Sequence, residues 1–480
     1  MRGETVGSGN QIETHELHSD KLIVEGGISL DGSVRLQGAK NLALQAIIST
    51  VLVDGEVTLE NVPRIADVET VISGLRDMGT RATWMDEGVL TCDSRGIKFG
   101  PLDPVTTLKT TGSRYFIPVL ARRFGRVITG PSGGDQLGGG DRGSFSAQIL
   151  RGYEQLGLGH YSYLSTGVVE EGVTRRYEFF PLTHLPDRGL IQQERFFGPT
   201  IQALLYHVKG TPGEEFIIRK PCVEPEIFQT IDLLNSMGAE IEYQGDGQDY
   251  EEDFIRISSV DNLKGARFRI ASDPNVLVAY TVLTIITNGR VVIGDIDHSS
   301  KVEAFLRLLS QMNANYAYDP LKRELQLLPS LTQLRPVNLE TYFWPGATCH
   351  TDWQPILTAL LVRIKGVSFI DENVHPQRFS AVDPLAKMGG KFELIKEDAR
   401  LLRRSFMGDH LPHSLKINGG IDFRPGNYGS LVDNRAAVGV LAAMLSAKGK
   451  STLEGAGQIQ RGMENIVSNL RSLGARVSFG

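Results

Sequence analysis

Cysteine is scarce: the 480 residues hold three, Cys92, Cys222 and Cys349. They form no CxxC pair and no zinc-ligand spacing, which excludes a disulfide-stapled secreted scaffold and predicts no structural metal. A basic excess is also missing. Fifty Lys and Arg against 56 Asp and Glu leave a net charge of −6, and basic residues adjoin only in pairs such as Arg122-Arg123 and Arg403-Arg404. Bulk nucleic-acid binding needs a basic face from which counterions are released, so nucleic acid is not an expected partner. No run of about 18 apolar residues exists, and the chain is polar through Asp20 without the apolar centre of a signal peptide. The expected location is the cytoplasm, with no membrane partner.

What remains is an ordinary globular composition, 41% apolar and 22% charged. At roughly 150 residues per domain the length predicts two or three domains, each large enough for its own core.

Six segments share one pattern, an apolar helix end, then Met or Leu, then Gly or Asn, then a short alternating strand. The shared residues are Gly79, Gly157, Gly238, Asn313, Gly389 and Gly474, spaced 75 to 85 apart. A helix C-cap explains them, because the chain there enters the left-handed region that Gly permits and Asn tolerates. A second glycine precedes each cap and opens a strand: Gly55, Gly125, Gly213, Gly289, Gly366 and Gly449. Five of these units run 23 to 25 residues from glycine to cap, and the second runs 32. The natural grouping is two α/β domains of three units each. The apolar helices Leu42–Val53, Phe116–Ala121, Ile201–His207, Leu277–Thr287, Ile356–Ile364 and Ala436–Ser446 are apolar on nearly every face and are predicted to be buried.

Polar residues concentrate just before those helices: Lys40 and Asn41, Ser113 and Arg114, Arg195, Asp273, Asp352, and Asp433 with Arg435. Two readings stand for the acids. They are plain N-caps, or they belong to a face where gathered helix N-termini attract an anion. The lysine and arginines favour the second, since the helix dipole disfavours cations there unless an anion offsets them. The extra length of the second unit falls in Gly130 to Ser144, GPSGGDQLGGGDRGS. This stretch is either a flexible linker or a lid, and the interleaved Asp135, Asp141 and Arg142 suit a lid over a charged substrate. It matches neither a P-loop nor a strand-coupled GxGxxG.

The segments LQGAKNL (Leu36 to Leu42), ENVPRIADVE (Glu60 to Glu69), PVLARRFG (Pro118 to Gly125), VEPEIFQ (Val223 to Gln229), HTDWQP (His350 to Pro355) and DNRAAVGVLAA (Asp433 to Ala443) resemble the enolpyruvyl transferases. Within that family the resemblance is nearer to the branch acting on UDP-N-acetylglucosamine than to the branch making enolpyruvylshikimate phosphate, whose serine-lysine signature is missing. It runs from about Leu22 to the C-terminus, and the GAKN tetrad, Gly38 to Asn41, is its most specific piece.

The resemblance implies a two-domain inside-out α/β barrel with pseudo-threefold repeats. Residues 1–20 would be a flexible extension, 21–38 with 272–480 one domain, and 39–271 the domain carrying the lid loop 130–144. It implies that phosphoenolpyruvate transfers its enolpyruvyl group to a hydroxyl of UDP-N-acetylglucosamine, the entry step of peptidoglycan synthesis, with no metal or organic cofactor. Lys40 and Arg461 would hold phosphoenolpyruvate, Asn41 would contact the sugar, Asp352 would be the base, and Asp433 and Arg435 would line the same cleft. The lid's usual proton-donating cysteine corresponds to Asp135, which implies resistance to fosfomycin, an alkylator of that thiol.

The chain also departs from the family. The lid arginine corresponds to Arg142 only across an insertion, the arginine near Lys109 is displaced to Arg114, and Pro274 and Val374 stand where arginines are expected, with Arg378 a substitute for the latter. Arg195, Phe196, Phe197 and Gly198 fall near the expected uridine, where the rings either stack a base or belong to the core. Two other functions remain: transfer to another uridine nucleotide such as UMP, and a non-catalytic paralogue that binds nucleotide-sugar. A monomer or weak homo-oligomer is expected.

Overall fold

The helix caps turn the chain where their residues allow it. Gly79, Gly238, Asn313, Gly389 and Gly474 take φ of +99°, +93°, +60°, +109° and +88°, and each is followed at once by a strand. The computed structural model describes residues 21–130, 132–133, 159–169, 172–181, 189–191, 197–247, 252–341, 349–375, 378–395, 414–429, 431 and 433–480, with backbone only for the three segments from 159 to 191. The sixth cap, Gly157, and residues 1–20 lie outside them.

Five four-stranded sheets share one strand order. The strand after the second glycine (Glu56–Glu60, Glu215–Arg219, Arg290–Gly294, Val367–Glu372 and Gly449–Glu454) has a parallel neighbour on one side. On its other side runs an antiparallel strand, and that strand pairs antiparallel with the one following the cap. In the last sheet the middle place is taken by Lys21–Gly26, the first described strand, with Leu22 opposite both Leu453 and Phe479. The second unit forms a three-stranded sheet of Val127–Thr129, Gly172–Pro181 and Gly159–Val169. The N–H of Leu102 donates to the Ile128 carbonyl at 2.9 Å where a parallel strand would stand. Among the described residues each sheet is open, and none closes on itself as a barrel.

The helices read as apolar on all faces are buried. Pro274–Ile286 is buried along its whole length, and it packs with Gln354–Arg363 and Asn434–Ser446, each of which touches the other two. Lys40–Ser49, Phe116–Phe124 and Phe197–His207 carry the other buried stretches. Buried apolar residues fall into two clusters. One runs from Ala39 to Ile270. The other takes Leu22 to Leu36, Val223 and Val276 to Val477. The chain passes between them at Gly38 and Ser272, which form an antiparallel bridge. Gly38 has no alternative there, since a Cβ would stand 1.8 Å from the Asn61 carbonyl oxygen. Among the described residues no helix is long and apolar enough to cross a membrane.

Candidate active site

Lys40 opens the Lys40–Ser49 helix with no side-chain cap. Its ammonium is buried and reaches Asp67 Oδ2 at 3.1 Å. Arg461, almost four hundred residues further on, donates to the same carboxylate from Nε (2.9 Å to Oδ1) and Nη2 (3.3 Å to Oδ2). Two cations from opposite ends of the chain thus meet on one acid. Burial alone would raise the Asp67 pKa, but Lys40 and Arg461 outweigh it and hold the carboxyl below its ordinary range. The assembly carries one excess positive charge and is suited to an anionic ligand.

A second group adjoins it. Asp352 lies in a single 3₁₀ turn, Thr351–Trp353, and accepts from Arg378 Nη1 at 2.6 Å and Arg435 Nη2 at 3.4 Å. Arg378, 2% exposed, also donates to Asp433 Oδ2 at 3.3 Å. Against the opposing effect of burial, the two guanidiniums hold Asp352 well below the usual carboxylate range. Asp433 and Asp273 do cap their helices, accepting from Arg435 N and Asn275 N at 2.8 Å each. Both acids do a second job as well, because Asp433 binds Arg378 and Asp273 Oδ2 accepts the Lys40 backbone N–H at 3.1 Å. Trp353 Nε1 donates to Asn275 Oδ1 at 2.9 Å. The N-termini of four buried helices are therefore joined side by side. Gly462 sets the two groups together: a Cβ on it would come 3.1 Å from Asn434 Nδ2 and 3.4 Å from Arg435 Nη1.

Asn41 is half-buried beside Lys40. Arg114 stacks over the Tyr115 ring at 5.1 Å and bonds its hydroxyl, and its buried Nε has no hydrogen-bond partner among the described residues. Its charge is among those that, after burial and Arg378, lower the His375 pKa to about 3. The chain enters the glycine-rich segment beside Arg114. Gly133 N donates to the Thr107 carbonyl at 2.8 Å, and Ser132 Oγ is 3.1 Å from Ser113 Oγ. Asp135, Arg142, Arg195 and Phe196 lie outside the described residues. Phe197 is half-buried against the first core, and Gly198 has open space where a side chain would stand.

Two further acids, Asp67 and Glu224, and two bases, Lys301 and His350, receive no role from a reading of the sequence, while Glu372 falls there on the first residue of the family's Glu-Asn-Arg motif. Asp67 lies in the first turn of the Ala66–Asp77 helix, where the dipole favours an acid whatever its role. Glu372, fully buried, accepts from Thr341 Oγ1 at 2.7 Å, Thr351 Oγ1 at 3.0 Å and His375 N at 2.9 Å, fixing the turn that presents Asp352. Glu224, Lys301 and His350 form a separate network beside that turn. Only their place within the matching segments hints at Asp67, Glu224 and His350.

Buried helices joined at charged N-termini, with sheets around them, define a mixed α/β protein. The structure is similar to that of the enolpyruvyl transferase NikO from Streptomyces tendae, with a TM-score of 0.76 at 18% identity over 96% of this chain and 99% of that one. It is also similar to an EPSP synthase from Acinetobacter baumannii, with a TM-score of 0.66 at 16% identity over 95% and 99%. A family model described as EPSP synthase (3-phosphoshikimate 1-carboxyvinyltransferase) matches residues 24–137 and 201–470, and the chain belongs to that family. Relatives named UDP-N-acetylglucosamine 1-carboxyvinyltransferase 2 are 28% identical: over 460 residues in Listeria monocytogenes serotype 4b (96% of this chain, 98% of the relative), and over 461 in Bacillus anthracis (95% and 96%).

Proposed function

We propose that the protein transfers the enolpyruvyl group of phosphoenolpyruvate to a hydroxyl of UDP-N-acetylglucosamine with release of phosphate, as the first step of peptidoglycan synthesis in the cytoplasm. The observation that carries this reading is the meeting of Lys40 and Arg461 on Asp67 beside the Asp352, Arg378 and Arg435 group. Asp352 accepts the proton of the acceptor hydroxyl as its oxygen bonds C2 of phosphoenolpyruvate, and Asp135 delivers a proton to C3. The adduct then loses a C3 proton as the C2–O bond to phosphate breaks, leaving the enol ether. Lys40 and Arg461 steady the phosphate and carboxylate of the donor. Asp352 is held ionised by two guanidiniums, and a nucleotide diphosphate drawing Arg435 away would raise its basicity.

The same reading assigns Asn41, Asp433 and Arg435 to the sugar side, Arg114 and Arg142 to the phosphates, and Phe196, Phe197 and Gly198 to the uridine. It takes 21–38 with 272–480 as one domain and 39–271 as the other, each an inside-out α/β barrel whose three buried helices are wrapped by sheets. No cofactor is required, and a monomer or weak homo-oligomer suffices. Phosphate release is measured with phosphoenolpyruvate and a panel of UDP-sugars and uridine nucleotides. Turnover with UDP-N-acetylglucosamine is expected, lost in Asp352→Ala with the fold intact. Turnover with UMP alone redirects the acceptor, and none with any acceptor leaves a binding protein.

A further inference from the structure

Beside the Asp352 turn sits a charged network that the reaction above does not use. Lys301, 1% exposed in the Ser300–Gln311 helix, reaches Glu224 Oε2 at 2.8 Å and both Glu226 oxygens at 2.9 Å. Glu224 immediately precedes the Pro225–Ser236 helix, whose Ile227, Ile231, Leu233 and Leu234 belong to the first core. Val302, Ala304 and Phe305, beside Lys301, belong to the second. An uncompensated buried charge costs several kcal/mol, so the two cores hold each other through this cluster.

The network continues to the turn. His350 Nε2 lies 3.5 Å from Glu224 Oε2, and His350 Nδ1 accepts the Asp352 backbone N–H at 3.2 Å. A ring nitrogen that accepts an N–H bears no proton, so the imidazole proton is on Nε2, directed at Glu224. This is the logic by which a carboxylate selects the tautomer and orientation of a histidine that in turn holds a working group. Here the group held is the backbone N–H of Asp352 itself.

We propose that Glu224 and His350 are positioning residues for Asp352, a carboxylate–imidazole relay through which contact between the two cores sets the orientation of the base. The proposal rests on the reading of Asp352 as base. When the cores part, His350 loses the partner that fixes its tautomer, and the turn loses its cap.

The test uses the full chain in the phosphate-release assay. His350→Asn keeps an oxygen that can cap the Asp352 N–H but cannot reach Glu224. Glu224→Gln leaves Glu226 to neutralise Lys301. Each is expected to lower kcat about tenfold with KM for phosphoenolpyruvate nearly unchanged, and the double variant should be no slower than His350→Asn alone. In the wild-type protein, nitrogen-15 NMR of His350 should show the Nε2–H tautomer, a measurement that needs no variant to fold. A doubly protonated ring, additive losses in the double variant, or wild-type kcat in Glu224→Gln would each overturn the relay while Asp352→Ala stays inactive. Turnover in Asp352→Ala would instead remove the base and the relay together.

Discussion

Asp67 is the one acid shared by two cations that the proposed chemistry aims at a ligand. Replacing it with Asn leaves the buried Lys40 and the partly buried Arg461 without their shared partner, at a cost of up to about 3 to 5 kcal/mol, the range for breaking a buried pair. An anion can supply the missing charge. Inorganic phosphate or phosphoenolpyruvate should therefore raise the melting temperature of Asp67→Asn more than that of the wild type, and equal shifts would refute the arrangement. The cysteines make a second prediction at this scale. Cys92, Cys222 and Cys349 are all buried, and burial pushes the Cys92 thiol up to about 12 and the other two well above the ordinary value. None is a ready nucleophile. Incubation with fosfomycin should leave the intact mass unchanged, whereas rapid covalent labelling would contradict both this and the reading of Asp135. Single residues are also where the sequence is hardest to read. Lys40 and Arg461 stand out through resemblance, but their meeting on Asp67 spans 394 residues, and no local pattern marks an acid chosen by long-range contact.

At the level of elements far more is written in the chain. The caps at Gly79, Gly238, Asn313, Gly389 and Gly474 are local backbone demands, and the strands follow from them. The apolar helices announce their own burial. What periodicity leaves out is how closely those helices approach, and Gly439 shows the difference. In an exposed helix, Gly→Ala stabilises by about 1 kcal/mol. Gly439 lies in the buried Asn434–Ser446 helix, and a Cβ there would stand 2.6 Å from the Pro355 carbonyl oxygen of the neighbouring helix. Backbone does not swing aside, so overpacking at about 1 to 3 kcal/mol reverses the sign. Urea unfolding of Gly439→Ala should show a lowered midpoint, and a raised one would mean the helices are further apart. The strand exchange in the last sheet is likewise illegible, because Lys21–Gly26 pairs with segments more than four hundred residues away.

Across the whole molecule, stability should depend on acid in two stages. His207 stacks on Phe216 at 3.6 Å with a buried Nε2 that has no hydrogen-bond partner among the described residues, and burial followed by the charge of Arg122 lowers its pKa to about 3. His375 is held at about 3 as well. The unfolded chain takes up these protons near the ordinary value of about 6.5, so stability is complete above it and falls as pH drops toward about 3, by up to roughly 1.4 kcal/mol per unit for each histidine. Below about 4 the depressed carboxyls of Asp67 and Asp352 add a further decline, because the unfolded chain binds protons there that the fold does not. Melting temperature should be flat between about pH 6.5 and 8 and decline below that window, and His207→Phe should remove about half of the initial slope on the acid side. An unchanged slope would show that His207 already carries its proton in the fold.

The strand exchange between Lys21–Gly26 and the far end of the chain also dictates an order of birth. On the ribosome, the segment carrying Ala39 to Ile270 can bury its own apolar residues while translation continues. The first strand has to wait, unpaired, until Gly449–Glu454 and Arg476–Phe479 have emerged. Arg435 and Arg461 emerge late as well, so Asp352 and Asp67 lack these two partners until residues 435 and 461 have been made.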